Sequence, residues 1–104
     1  MTDLNRPDAE KILTHLKGKQ DEMLTFLAEA ARLESPSQLP ECQEAVFALF
    51  AQALVDTGFR CRRLRGQTSG GQLLAVPMTR DRRKPQQLLL GHVDTVWPLG
   101  TLTT

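Results

Sequence analysis

Long apolar runs are missing from this sequence, and none approaches the roughly 20 residues that a membrane-spanning helix requires. The first ten residues carry both charge signs and lack the apolar stretch of a secretory leader. These two absences predict a cytoplasmic chain with no membrane partner. Cysteine is scarce as well: Cys42 and Cys61 fall in separate predicted elements, with no second cysteine or histidine at metal-ligand spacing. They read as small buried or half-buried thiols, and a disulfide framework is not expected. Aromatic residues make up 5% of the chain, which matters where basic residues cluster.

What is present is enough for one small domain or a piece of one, because 104 residues with 40% apolar content cannot build two cores. The net charge of +1 conceals an uneven distribution, with most acids before residue 57 and most bases after it. Arg60, Arg62, Arg63 and Arg65 form one basic cluster, and Arg80, Arg82, Arg83 and Lys84 a second. A nucleic-acid surface needs such charge, but it also uses aromatic rings to stack on bases, and Phe59 is the only one nearby. Solvated hairpin ends are therefore the expected role, and nucleic acid is not an expected partner.

From Pro7 to Leu33 the apolar residues Ile12, Leu13, Leu16, Met23, Leu24, Leu27, Ala30 and Ala31 recur at three- and four-residue steps, the period of an amphipathic helix, with a bend or interruption at Gly18. Pro36 and Pro40 break the pattern. A second helix is predicted over Glu41 to Thr57, with Gly58 placed where a left-handed terminal residue belongs. Phe59 to Arg65 and Gln72 to Met78 read as the strands of a hairpin around the Gly66 to Gly71 turn. The uninterrupted leucines of Gln86 to Gly91 predict a third strand covered on both faces. The fold class is thus α/β, with two helices, a hairpin and a buried strand of a mixed or parallel sheet flanked by helices.

That last strand leads into His92 and Asp94. Alternate residues of a strand share a face, so the two side chains point to one side with ~6.6 Å between their Cα atoms if the extended geometry persists. A neutral imidazole is a good zinc ligand, and a nearby carboxylate can hold its other ring N–H. Sites in open α/β sheets gather at the carboxyl ends of strands, where this pair falls. By spacing alone the pair also fits a histidine hydrogen-bonded at a strand end and an aspartate opening a turn that Pro98 and Gly100 complete. His15, the only other histidine, reads as an exposed or half-buried helix residue.

The string Leu88-Leu-Leu-Gly-His-Val-Asp-Thr-Val-Trp-Pro-Leu-Gly-Thr-Leu102 closely resembles the first metal motif of the zinc-dependent peptidases that include glutamate carboxypeptidase, aminoacylase, acetylornithine deacetylase and succinyl-diaminopimelate desuccinylase. Its Trp-Pro-Leu-Gly-Thr-Leu continuation is most similar to the glutamate carboxypeptidase branch. Lys19 to Leu24, the Leu33 to Ser37 turn and the Asp56 to Phe59 helix end stand in the order in which that family's catalytic domain begins. The resemblance implies that His92 ligates one of two zinc ions and that Asp94 is the active-site aspartate that orients and polarises it. It implies a small peptide or N-acyl amino acid as substrate, and a homodimer for the complete enzyme. The family's other ligands, its general base and its dimerisation domain have no counterpart in these residues, so the resemblance makes them the N-terminal portion of a catalytic domain, inactive alone. The competing expectation is a truncated, non-enzymatic interaction module whose basic hairpin binds an anionic partner.

Overall fold

The side chain of Asn5 accepts the backbone N–H of Asp8 at 3.0 Å and so caps α1 (Arg6–Gly18), whose first turn also holds a proline. The computed structural model describes residues 5–103. The predicted first helix is two helices. Lys19 leaves helical geometry with ψ near 7°, directly after Gly18, and the chain resumes as α2 (Gln20–Arg32). Glycine gains least from helical order, which makes this the weak point of the run. A 3₁₀ turn at Pro40–Cys42 introduces α3 (Gln43–Asp56), which ends at Gly58 with φ of +93°, a conformation that suits glycine.

Next come β1 (Phe59–Leu64) and β2 (Gln72–Pro77), paired antiparallel with Phe59 opposite Pro77 and Leu64 opposite Gln72. The alternation expected of a half-covered hairpin is present. Phe59, Cys61 and Arg63 lie less exposed than Arg60 and Arg62, and α3 packs on the hairpin. The Cys61 thiol contacts the Ala51 carbonyl of α3 at 3.7 Å. Both cysteines are free and half-buried, as their isolation in the sequence predicts. Among the described residues the architecture is therefore three α-helices and a two-stranded antiparallel sheet, a mixed α/β arrangement.

Val46 and Phe47 of α3 are the buried apolar residues of this core, and Phe26 of α2 meets Phe50 edge-on with ring centroids 5.2 Å apart. Little else is covered. No residue of α1 or α2 is buried, and the stripe of Ile12, Leu13, Leu16, Met23, Leu24 and Leu27 stands open. The accessible surface is 9292 Å², against about 5,800 Å² for a compact protein of this mass. The radius of gyration, 16.6 Å, likewise exceeds the ~13 Å of a compact domain of similar length.

The third strand does not form. Gln86 to Leu90 has no regular structure, and Leu88, Leu89 and Leu90 are 83%, 95% and 91% exposed. A strand exists only through pairing, and neither hairpin strand pairs with this segment. Three leucines encode a need for cover but not the identity of what covers them. The chain regains distant partners from Val93 onward, and Thr95 makes an isolated parallel bridge with Pro36.

Candidate functional site

Proline at position 36 pushes Ser35 toward extended geometry and prevents the 34–40 segment from continuing α2. The result is a strap, residues 34 to 37, that holds residues 93 to 102 from the opposite end of the sequence. Thr95 donates its backbone N–H to the Ser35 carbonyl at 2.9 Å, and Ser37 donates its own to the Thr95 carbonyl at 2.9 Å. The hydroxyl of Ser35, a residue only 3% exposed, donates to the Val93 carbonyl at 2.5 Å. Glu34 accepts the backbone N–H groups of Gly100 and Leu102. From behind, the buried Gln43 at the start of α3 donates to the Pro36 carbonyl at 3.4 Å.

Gln43 is itself held close by the hairpin loop. A Cβ on Gly70 would fall 1.7 Å from Gln43 Oε1, so glycine lets the loop approach with the glutamine in this position. Arg63 secures the same corner. Its guanidinium lies over the Phe47 ring at 4.0 Å and donates to Glu44 Oε1, the Gly70 carbonyl at 3.0 Å and the Gln72 carbonyl at 2.9 Å.

On this support the structure brings His92 and Asp94 together. His92 Nδ1 lies 3.0 Å from the Asp94 backbone oxygen and 3.3 Å from Asp94 Oδ1. Both neighbours are acceptors, so the ring proton belongs on Nδ1 and the lone pair on Nε2. The histidine side chain is 83% exposed and the aspartate 41%. Asp94 Oδ2 accepts the Ser37 hydroxyl at 2.6 Å. That bond, foremost, holds the Asp94 carboxyl below its ordinary range; burial opposes it, while the residue's own N–H and His92 reinforce it. Beside the pair, Pro36, Ser37 and Gln38 face Thr95, Val96 and Trp97 across a cavity of about 240 Å³.

Zinc, which the sequence resemblance implies, finds one donor here. His92 Nε2 with Asp94 behind Nδ1 fits a ligand and its orienting carboxylate. Three or four protein donors are usual, and no group of three or more His, Cys, Asp or Glu side chains that could hold a metal occurs among the described residues. His15 lies exposed on α1, far along the chain from this motif.

Sequence reasoning passed over Glu34, Ser35 and Ser37 as parts of a turn. A signal was available in Ser-Pro-Ser, two hydroxyls at the same i, i+2 spacing as His92 and Asp94, around a residue that enforces extension. The basic hairpin is less basic than its composition. Arg63 turns inward onto the protein's own groups, leaving Arg60, Arg62 and Arg65 exposed, while Arg83 pairs with Asp81 in the following loop. No helix among the described residues is long and apolar enough to cross a membrane. Comparison with protein-family models, with curated proteins and with solved structures found no match to this chain.

Proposed function

We propose that these residues are the N-terminal portion of the catalytic domain of a zinc-dependent hydrolase that cleaves a peptide or N-acyl amide bond beside a free carboxylate. The observation that carries this reading is the turn of His92 Nδ1 onto Asp94, which leaves Nε2 as the ring nitrogen available to a metal. The Leu88 to Leu102 motif supplies the class of enzyme. The open surface adds support, since the bare leucines and the uncovered stripes of α1 and α2 suit a larger mixed or parallel sheet in which Gln86 to Gly91 is a buried strand. Further ligands, the general base and a dimerisation domain would come from outside these residues.

Zinc, when bound, supplies Lewis acidity that lowers the pKa of a bound water and polarises the scissile carbonyl. His92 would hold the metal through Nε2. Asp94 retains the Nδ1 proton, which keeps the imidazole in its ligand tautomer and raises its basicity. The strap keeps both in place. With a single such donor, residues 1–104 alone are expected to bind zinc no more tightly than a single-histidine peptide and to hydrolyse no acyl-amino acid.

The test is the protein purified at its natural length and assayed on N-acyl-glutamate and related acyl-amino acids, with and without chelator. Chelator-sensitive hydrolysis is expected. His92→Ala lowers metal content and rate together, whereas Asp94→Asn keeps most of the metal and lowers the rate by about 10- to 100-fold. Near-wild-type rates for both variants would return the pair to a histidine at a turn. Tight stoichiometric zinc on residues 1–104 alone would overturn the incomplete-site reading.

A further inference from the structure

We propose that Ser37 is a positioning residue of this site: its hydroxyl fixes the Asp94 carboxylate, and through Asp94 it selects the Nδ1–H tautomer of His92. The consequence for metal binding rests on the reading of His92 as a ligand, but the positioning itself does not.

The hydroxyl has one proton and two acceptors in reach, Asp94 Oδ2 at 2.6 Å and the Thr95 carbonyl at 3.1 Å. The shorter contact is to the ionised group, and the Thr95 carbonyl already accepts the Ser37 backbone N–H. The proton therefore goes to the carboxylate. With Oδ2 held, rotation about the Asp94 side chain is fixed and Oδ1 stays 3.3 Å from His92 Nδ1, adding a charged acceptor to the Asp94 backbone oxygen that already lies 3.0 Å from the same nitrogen. An unheld carboxylate on an exposed turn would rotate into water, which solvates it at least as well.

Ser37 is exposed, yet it is not free to move. Pro36 restricts the backbone, the Ser35 hydroxyl and carbonyl bind Val93 and Thr95, and Gln43 grips the Pro36 carbonyl. Two strap residues thus divide the work. Ser35 fixes the backbone of the 93–95 segment, and Ser37 fixes the Asp94 side chain beside the histidine.

The tautomer is read from the ¹⁵N shifts of the His92 ring in the 104-residue chain near pH 8, where an ordinary imidazole is neutral. Wild type is expected to hold the Nδ1–H form. Ser37→Ala lowers the ratio of Nδ1–H to Nε2–H by about three- to ten-fold, the weight of one net hydrogen bond, and Ser37→Thr restores it. The Thr95 amide, which bonds Ser35, reports whether the strap remains seated in each variant. A wild-type ring with the tautomer mixture of a free histidine peptide would overturn the proposal without any variant. An unchanged ratio in Ser37→Ala with the strap seated would overturn it as well. The two readings fail separately. The Ser37 dependence of the tautomer in the metal-free 104-residue chain decides the positioning, whereas the metal content of His92→Ala in the protein at its natural length decides the ligand role.

Discussion

Glu34 and Gly100, 66 residues apart, are joined by a hydrogen bond of 2.8 Å from the Gly100 backbone N–H to Glu34 Oε2, while Oε1 accepts Leu102 N–H at 3.0 Å. One carboxylate thereby fastens the 3₁₀ turn Thr101–Thr103 to the end of α2. The Gly100 bond, then the Leu102 bond, holds the Glu34 carboxyl below its ordinary value, with Thr101 adding and burial opposing.

The pH dependence follows from that direction. A carboxyl depressed in the folded state contributes its full stabilisation above the ordinary glutamate value, about 4.3, and loses it as the pH falls through the lower folded value. Amide shifts of Gly100 and Leu102 are expected to be constant from neutral pH to about that value and to move together below it. Glu34→Gln, with one carbonyl oxygen, cannot serve both donors and should abolish that shared acid step. Persistence of the step in the variant would assign it to another group.

Gly70→Ala should loosen the site from a distance. The new Cβ would fall 1.7 Å from Gln43 Oε1 and 2.7 Å from Cδ, so the glutamine must swing aside and release the Pro36 carbonyl. The expected result is a loss of about 1–3 kcal/mol in stability, together with faster hydrogen exchange at Thr95. Unchanged Thr95 exchange would show that Gln43 does not support the strap.

Arg63→Ala removes the cation over Phe47 and the donors to Gly70 and Gln72, and leaves Glu44 without its ion pair. A lower melting midpoint and faster exchange in β1 and β2 are expected, with a cost of about 1–3 kcal/mol. Arg63→Lys should not rescue it, because an ammonium cannot stack and fork its donors as a guanidinium does. A lysine variant as stable as wild type would reduce the residue's role to charge alone.

Leu88 to Leu90 should make the chain associate. Bare leucines on unpaired backbone favour contact between copies, so sedimentation velocity should show larger species as concentration rises. Paired Leu89→Lys and Leu90→Lys substitutions should suppress them while leaving the helical circular dichroism intact. A wild-type chain that stays monomeric at every concentration would contradict this.

The local elements were legible in the sequence. The break at Gly18, the end of α3 at Gly58 and the β1–β2 hairpin follow from periodicity and turn chemistry acting over a few residues. His92 and Asp94 were legible as a pair for the same reason, being two residues apart. Gln86 to Gly91 was not: its apolar run specifies burial, and a strand needs a partner that no local pattern names.

The sequence by itself determined where helices break and end, which strands can turn back on each other, and which histidine has a carboxylate two residues away. Backbone hydrogen bonds inside a helix or across a short turn close over a handful of residues, so nearby side chains decide them. Only the tertiary structure decided that Glu34, Ser35 and Ser37 hold the 93–102 segment, that Arg63 turns inward, and that the leucines stay bare. Each of these depends on which distant group a donor or an apolar face meets, and many distant groups offer the same chemistry. The fold selects among them by bringing one within about 3 Å and leaving the rest in water.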